Sequence, residues 1–320
     1  MGALKVFLPG SQVDVSSDVV GVLTNGVLKS FEVQERLLEE QRFATEDEVA
    51  RILRSSWKVH ELRAADPLHD AIRLRHRALV ASDAESRLLL LWSGMERMTA
   101  GARGFGSALS SARELVSHAV TFGKLRRDIG DLVACVQHHL ALDESRRKTL
   151  LQIVGVRVGH VLRVDRVRFL EYLMGDKARM QELVGLVYDT SPLLAFRCHE
   201  VWRALGEGNR DSAGLRMAEY HERSRERISR QVARIYRARN RIAHVGASPD
   251  RVRDLVWHAH FYLTQLTAIC VHYGEHENTR AQELLVRRVG QYKAFLRLLK
   301  AGDTTVLNAA TLLRPSLVVG

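Results

Sequence analysis

The amino-acid sequence predicts an all-α fold, and three observations carry that prediction. From about Glu32 onward, apolar residues recur at the three- and four-residue intervals of helix faces packed on a core. Helix-start signatures recur with them, at Thr45-Glu46-Asp47-Glu48, Asp66-Pro67, Ser82-Asp83-Ala84-Glu85 and Ser191-Pro192. Strand signals are confined to the first thirty-odd residues. The expected architecture is a helical bundle with a small, hairpin-bearing N-terminal extension.

In that extension, Val19 to Thr24, Asn25-Gly26 and Val27 to Phe31 read as a hairpin, because Asn-Gly suits a type I′ turn. Leu4 to Leu8, closed by Pro9-Gly10, reads as a further short strand. The capping box at Thr45 opens a helix to about Trp57, and Asp66-Pro67 opens one to about Val80. The box at Ser82 opens an apolar helix through Leu88, Leu91, Trp92, Met95 and Met98 that stops at Gly101. The glycines at 101, 104 and 106 form a linker, since neither a preceding strand nor a following Lys-Ser/Thr makes them a phosphate loop. Helices are expected at 108–122, 124–141, 144–155, 166–187 and 193–205, then a flexible connection from Gly206 to Gly214. An arginine-rich helix follows from about Leu215 to Ala243, another opens at Ser248-Pro249, and one more covers 281–300. The expected division is an extension over 1–65, a helical domain over 66–275, and a C-terminal helix and tail over 276–320.

At 320 residues, 46% hydrophobic and 27% charged, the chain has ample core and is not of disordered composition. No apolar run approaches the roughly 18 residues of a membrane span, and no signal-peptide layout opens the chain, so no membrane partner is expected. Gly2 is not read as a myristoylation site, because position 6 is Val. Cys135, Cys198 and Cys270 lie far apart, which points to a reducing cytoplasm. The formal charge of +11 points to a polyanionic partner. Between His221 and Arg241 stand eight arginines and two glutamates, with no lysine, and arginine is the better bidentate partner for phosphate.

Metal and nucleophile readings are weak. His258 and His260, two apart on a helix, point roughly 200° away from each other and cannot share a metal, and no cofactor is called for. Cys135 with His138, and Cys198 with His199, read as buried helical cysteines beside surface histidines. The set Arg239, Asn240 and His244 differs. Ile228, Val232, Ile235 and Ile242 mark a core-facing stripe, and Arg239 falls on it, where an arginine is costly unless partnered. Asn240 and His244 are four apart, and Gly246 can cap the helix in the left-handed conformation. In that frayed last turn the imidazole could swing toward Arg239. Histidine can move the proton of an RNA 2′-hydroxyl, arginine can neutralise the phosphorane, and asparagine can orient the imidazole or donate to a phosphate oxygen. The spacing is met equally by an Arg239 paired with a buried acid and a His244 that merely ends a helix.

The segment Ile235-Tyr236-Arg237-Ala238-Arg239-Asn240-Arg241-Ile242-Ala243-His244-Val245-Gly246 resembles the signature of HEPN domains, an arginine four to six residues before a histidine with a polar residue after the arginine. Its Arg-Asn-x-x-x-His form is most similar to the Apea-like branch. Leu91-Trp92-Ser93-Gly94-Met95-Glu96-Arg97-Met98 is similar to that branch's helix bearing an aromatic residue and then a glutamate, and the resemblance covers about residues 70 to 275. It implies a helical bundle, a homodimer with two copies of the motif in one cleft, and metal-independent endoribonuclease activity leaving a 2′,3′-cyclic phosphate. Many members serve in antiviral defence, toxin–antitoxin pairs or RNA processing. By position, Arg239 would contact the scissile phosphate, His244 would move protons, Asn240 would support them, and Glu96 would be the acid beside Arg239. Arg230, Arg234, Arg237 and Arg241 are the candidate RNA contacts. Gly246 stands where some toxins carry a tyrosine, which argues against control by its modification. The alternatives are a non-catalytic RNA-binding scaffold on the same bundle, or a subunit of a larger complex with a protein regulator.

Overall fold

The computed structural model describes residues 12–15, 19–24 and 27–32, and residues 67–315 apart from 101, 103–104, 141–142, 159–160, 189–191, 248–250, 278–279 and 304. The strand expected at Leu4–Leu8, the helix expected over 45–57 and the Asn25-Gly26 turn lie outside the described residues. The chain packs as two units, Met1–Leu62 and Arg63–Gly320.

In the first unit, β1 (Gln12–Val15), β2 (Val19–Thr24) and β3 (Val27–Glu32) form an antiparallel sheet in the order β1-β2-β3. Leu23 stands opposite Leu28 and Thr24 opposite Val27, a register that leaves two residues between the strands. β1 had no counterpart in the sequence reading.

The second unit is almost entirely helical. α1 (Pro67–Val80) and α2 (Ala84–Thr99) pack against each other. The N-cap of α2 is Asp83, whose carboxylate accepts from the Ser86 amide at 2.6 Å, rather than the expected Ser82. α3 (Ala108–Phe122) and α4 (Lys124–Leu140) follow, then α5 (Glu144–Val154). A hairpin that the sequence reading left unassigned comes next, β4 (Gly155–Val158) with β5 (Val161–Val164). A lone two-stranded hairpin is marginal in water. This one is clamped at its base, where the Asp165 amide donates to the Val154 carbonyl at 2.9 Å and Arg168 Nη1 to the Gly155 carbonyl at 2.7 Å.

The single helix expected over 166–187 is two, α6 (Arg166–Leu173) and α7 (Lys177–Tyr188). Asp176 restarts the chain by accepting from the Arg179 amide at 3.0 Å. α8 (Pro192–Ala204) leads to α9 (Arg210–Val245), 36 residues and about 54 Å long at 1.5 Å per residue. The flexible connection expected up to Gly214 therefore ends at residue 209. α10 (Val252–Glu277) opens three residues beyond Pro249, followed by α11 (Ala281–Lys300) and α12 (Ala309–Leu313).

α9 runs through two packed regions. Its first half contributes Met217 and Ala218 to a core shared with Leu125 and Ile129 of α4, Phe169 of α6, Phe295 of α11 and Leu312 of α12. The segment 276–320, set apart as a tail in the sequence reading, thus builds the same core as α4 and α6. The second half of α9 buries Val232, Ile235 and Ala238, and it packs on α2 and α3. Trp92 of α2 is fully buried, with its ring 5.3 Å from that of Tyr236. Between the two regions His221 is 1% exposed, ringed by Tyr220, Tyr292 and Phe295 at 5.5–6.0 Å between centroids. Neither imidazole nitrogen has a hydrogen-bond partner among the described residues.

Two predictions follow from this packing. A Cβ on Gly214 would lie 2.3 Å from the Leu299 carbonyl oxygen, a backbone atom that cannot turn aside, whereas at Gly94 it would meet the movable Leu263 methyl at 2.7 Å. Gly214→Ala is expected to cost about 1–3 kcal/mol in denaturant unfolding, and Gly94→Ala clearly less; equal costs would contradict this α9–α11 contact. The second concerns pH. Burial, with the Lys124 charge nearby, pushes the His221 pKa down to about 4 from the ordinary 6.5. The unfolded chain binds this proton below pH 6.5 and the folded chain only below about 4. Its contribution is therefore complete above pH 6.5 and lost as pH falls toward 4, on the order of 3 kcal/mol in all. His221→Phe is expected to flatten stability against pH over that window; an unchanged slope in thermal melts would place the acid sensitivity elsewhere.

Candidate nucleic-acid interface

At 100° per residue, the eight arginines between His221 and Arg241 do not share one face of α9. Arg223, Arg227, Arg230, Arg234, Arg237 and Arg241 follow each other at intervals of four and three, and all six are exposed. Arg225 and Arg239 lie on the opposite side and are half-buried. The exposed row spans about 27 Å, 18 residues at 1.5 Å each. The sequence reading names its last four members; Arg223 and Arg227 complete it, and the same interval rule, applied two turns further back, identifies them.

Two of the six are held by acids. Arg223 pairs with Glu219 at 3.2 Å and Arg230 with Glu226 at 3.0 Å, both in the open, with the arginine side chains 74% and 77% exposed. Arg227, Arg234, Arg237 and Arg241 have no ion pair among the described residues. Like charges at these intervals repel by some 0.2–0.5 kcal/mol per pair, so the row stands at a cost that the buried face of α9 offsets. A shallow groove of about 520 Å³ lies along it, lined by Arg223, Glu226, Arg227, Arg230, Gln231 and Arg234. Gln231 closes one side, and its Oε1 accepts from the Tyr262 hydroxyl of α10 at 2.7 Å. No aromatic ring stands on the row. Tyr236 is turned onto Trp92, and the Tyr220 hydroxyl donates to Asp128.

At the C-terminal end of α9 the expected cluster is only partly assembled. Arg239 is half-buried, and its Nη1 donates to Asn240 Oδ1 at 2.9 Å. Glu96, half-buried on α2, makes no ion pair with Arg239, so the expected carboxylate partner is replaced by the neighbouring amide. His244 is exposed, because α9 stays helical through Val245 instead of fraying. Five residues at 100° set its side chain about 140° around the axis from Arg239. The imidazole therefore does not meet that guanidinium within one chain. It falls instead at the end of the exposed row, three residues after Arg241 and seven after Arg237. Gly246 caps the helix as expected, with φ +66° and its amide donating to the Ile242 carbonyl at 3.1 Å.

The remaining candidates have structural settings. Cys198 is buried, which pushes its thiol pKa up to about 12, and the neighbouring His199 packs its ring against Trp202. His258 stacks on Tyr262 at 6.2 Å, and burial beside Arg75 lowers the His260 pKa to about 4. Among the described residues no three His, Cys, Asp or Glu side chains are grouped to hold a metal ion, and no helix is long and apolar enough to cross a membrane. No protein-family model, no curated protein and no solved structure matches the chain.

Proposed function

We propose that this protein is an RNA-binding endoribonuclease of the HEPN type, an all-α bundle with an N-terminal extension that cuts RNA without a metal. One observation supports this reading above the others. An exposed row of six arginines runs along α9 and ends on His244, which shares a face with Asn240, while Arg239, bonded to that Asn240, lies about 140° around the axis. The row attracts and guides the phosphodiester chain. At its end the neutral His244 imidazole takes the proton of a 2′-hydroxyl, whose oxygen attacks the adjacent phosphorus. Arg239 neutralises the charge gathering on the phosphorane oxygens, and Asn240 holds that guanidinium. The 5′-oxygen then leaves with a proton from an imidazolium, and a 2′,3′-cyclic phosphate remains. Since the two groups lie about 140° apart on one helix, the reaction needs a homodimer in which one chain's imidazole faces its partner's guanidinium. Such an enzyme acts on cytoplasmic RNA, in antiviral defence or a toxin-type stress response, under a protein regulator.

The same separation favours a second reading, a non-catalytic RNA-binding scaffold or complex subunit that uses the row alone. The assay that separates the two is incubation of RNA with the purified chain in EDTA, followed by mapping of 3′ ends. Cyclic-phosphate ends are expected, and Arg239→Ala and His244→Ala should each reduce cutting at least about 100-fold. His244 is exposed and Arg239 half-buried, so thermal melts should move little, by about 0.5 kcal/mol or less for His244→Ala. Variants that cut like the parent remove these residues from the mechanism, and RNA binding without any cleavage leaves the scaffold.

A further inference from the structure

Resting on that RNA reading, we infer that α9 binds a single RNA strand through its phosphates alone, without regard to base, and that Arg227, Arg234, Arg237 and Arg241 carry the contact. The first support is what the row lacks. Single-strand readers that hold bases use aromatic platforms, and both tyrosines of α9 are committed elsewhere, Tyr236 to the Trp92 ring and Tyr220 to Asp128. Base edges are read by amide side chains or bidentate arginines fixed in place. Here the one amide in the groove, Gln231, already has its carbonyl oxygen engaged by Tyr262. The four arginines without an acid have no partner among the described residues to fix their orientation, so they follow charge rather than base pattern.

The second support is shape. The row is straight, with successive members three or four residues apart, rising about 4.5–6 Å from one to the next. An extended single strand can lie along such a line phosphate by phosphate. A strand of an A-form duplex winds away from a straight line within a few phosphates, and duplex recognition instead works across the minor groove. The third support is charge accounting. Glu219 and Glu226 already pair with Arg223 and Arg230, so the other four arginines of the row are the ones that displace counterions condensed on the strand's phosphates.

The test is fluorescence anisotropy of the full chain with 2′-O-methyl oligonucleotides, which keep the phosphates but lack the attacking hydroxyl. Oligo(U), oligo(A) and oligo(C) should bind within about threefold of each other, and a duplex of equal length more weakly. The slope of log affinity against log salt should be about −3, four contacts at about 0.7 each, which is roughly a fiftyfold loss between 50 and 200 mM salt. Inorganic polyphosphate, which has neither base nor ribose, should displace the strand. Arg→Gln at 227, 234, 237 or 241 should lower the slope by about 0.7 for every sequence alike, Arg→Lys should preserve it, and Glu226→Gln should raise it by freeing Arg230. A preference above tenfold among the homopolymers, tighter binding of the duplex, or a slope unmoved by the four Arg→Gln changes overturns the inference while leaving RNA binding intact. No binding to any oligonucleotide overturns the RNA reading itself.

Discussion

Everything notable about this molecule depends on one helix having two incompatible faces. α9 buries Met217, Val232 and Ile235 on one side and carries six exposed arginines on the other. Mutual repulsion among those arginines opposes the helix, and among the described residues two glutamates, Glu219 and Glu226, relieve it by ion pairing. In isolation such a segment would be a poor helix, because propensity and charge pairing supply little. What supports it is the hydrophobic face, which in its first half shares a buried core with residues of α4, α6 and α11 and in its second packs against α2 and α3. The row of charge is therefore a property of the core, and it persists only as long as that core holds the axis in place.

The devices that hold the axis are local and specific. α9 and α11 approach so closely at Gly214 that the Leu299 carbonyl occupies the space of a side chain. His221 fills an aromatic nest where, among the described residues, neither ring nitrogen has a hydrogen-bond partner within bonding geometry, and so burial favours the neutral ring. Beside it, Tyr220 donates to Asp128, which also pairs with Lys124, tying α9 to the first turn of α4. These contacts fix translation and rotation of α9 in its first third, so the arginines beyond them project into solvent in a defined direction.

How much of this was legible in the sequence differs by kind of interaction. Helix starts were legible to within a residue where a first-turn proline or a capping acid marks them, as at Pro67 and Pro192 and, one residue later than expected, at Asp83, because these act within four residues. Gly246 was legible for the same reason. The β4–β5 hairpin was not, since four-residue strands carry little periodicity and its stability comes from the Arg168–Gly155 clamp between separate elements. Gly214 was misread as a loop glycine because its role is contact with a residue 85 positions later, and no local pattern marks that. The arginine row was fully present in the spacing, as an interval of three and four. Four of its members were named from the sequence, whereas the pairing of Arg239 with Asn240 rather than Glu96 depends on tertiary geometry that spacing does not encode.

That last point bears on how such a helix end could do chemistry. On an unbroken α-helix the backbone sets a guanidinium and an imidazole five residues apart about 140° from each other, so the two project from different faces. Convergence requires either that the last turn unwind or that a second chain supply one of the two groups. Unwinding is opposed by the Gly246 cap, whose amide bonds Ile242 beyond His244 and so keeps the imidazole in the helical turn. A second chain costs nothing in helix and needs only that two α9 ends meet. The exposed row then does double duty, since two like-charged helix ends repel each other until an anionic strand lies between them. If the proposed function holds, the RNA strand would be both substrate and the counter-charge that lets the two halves of the site approach.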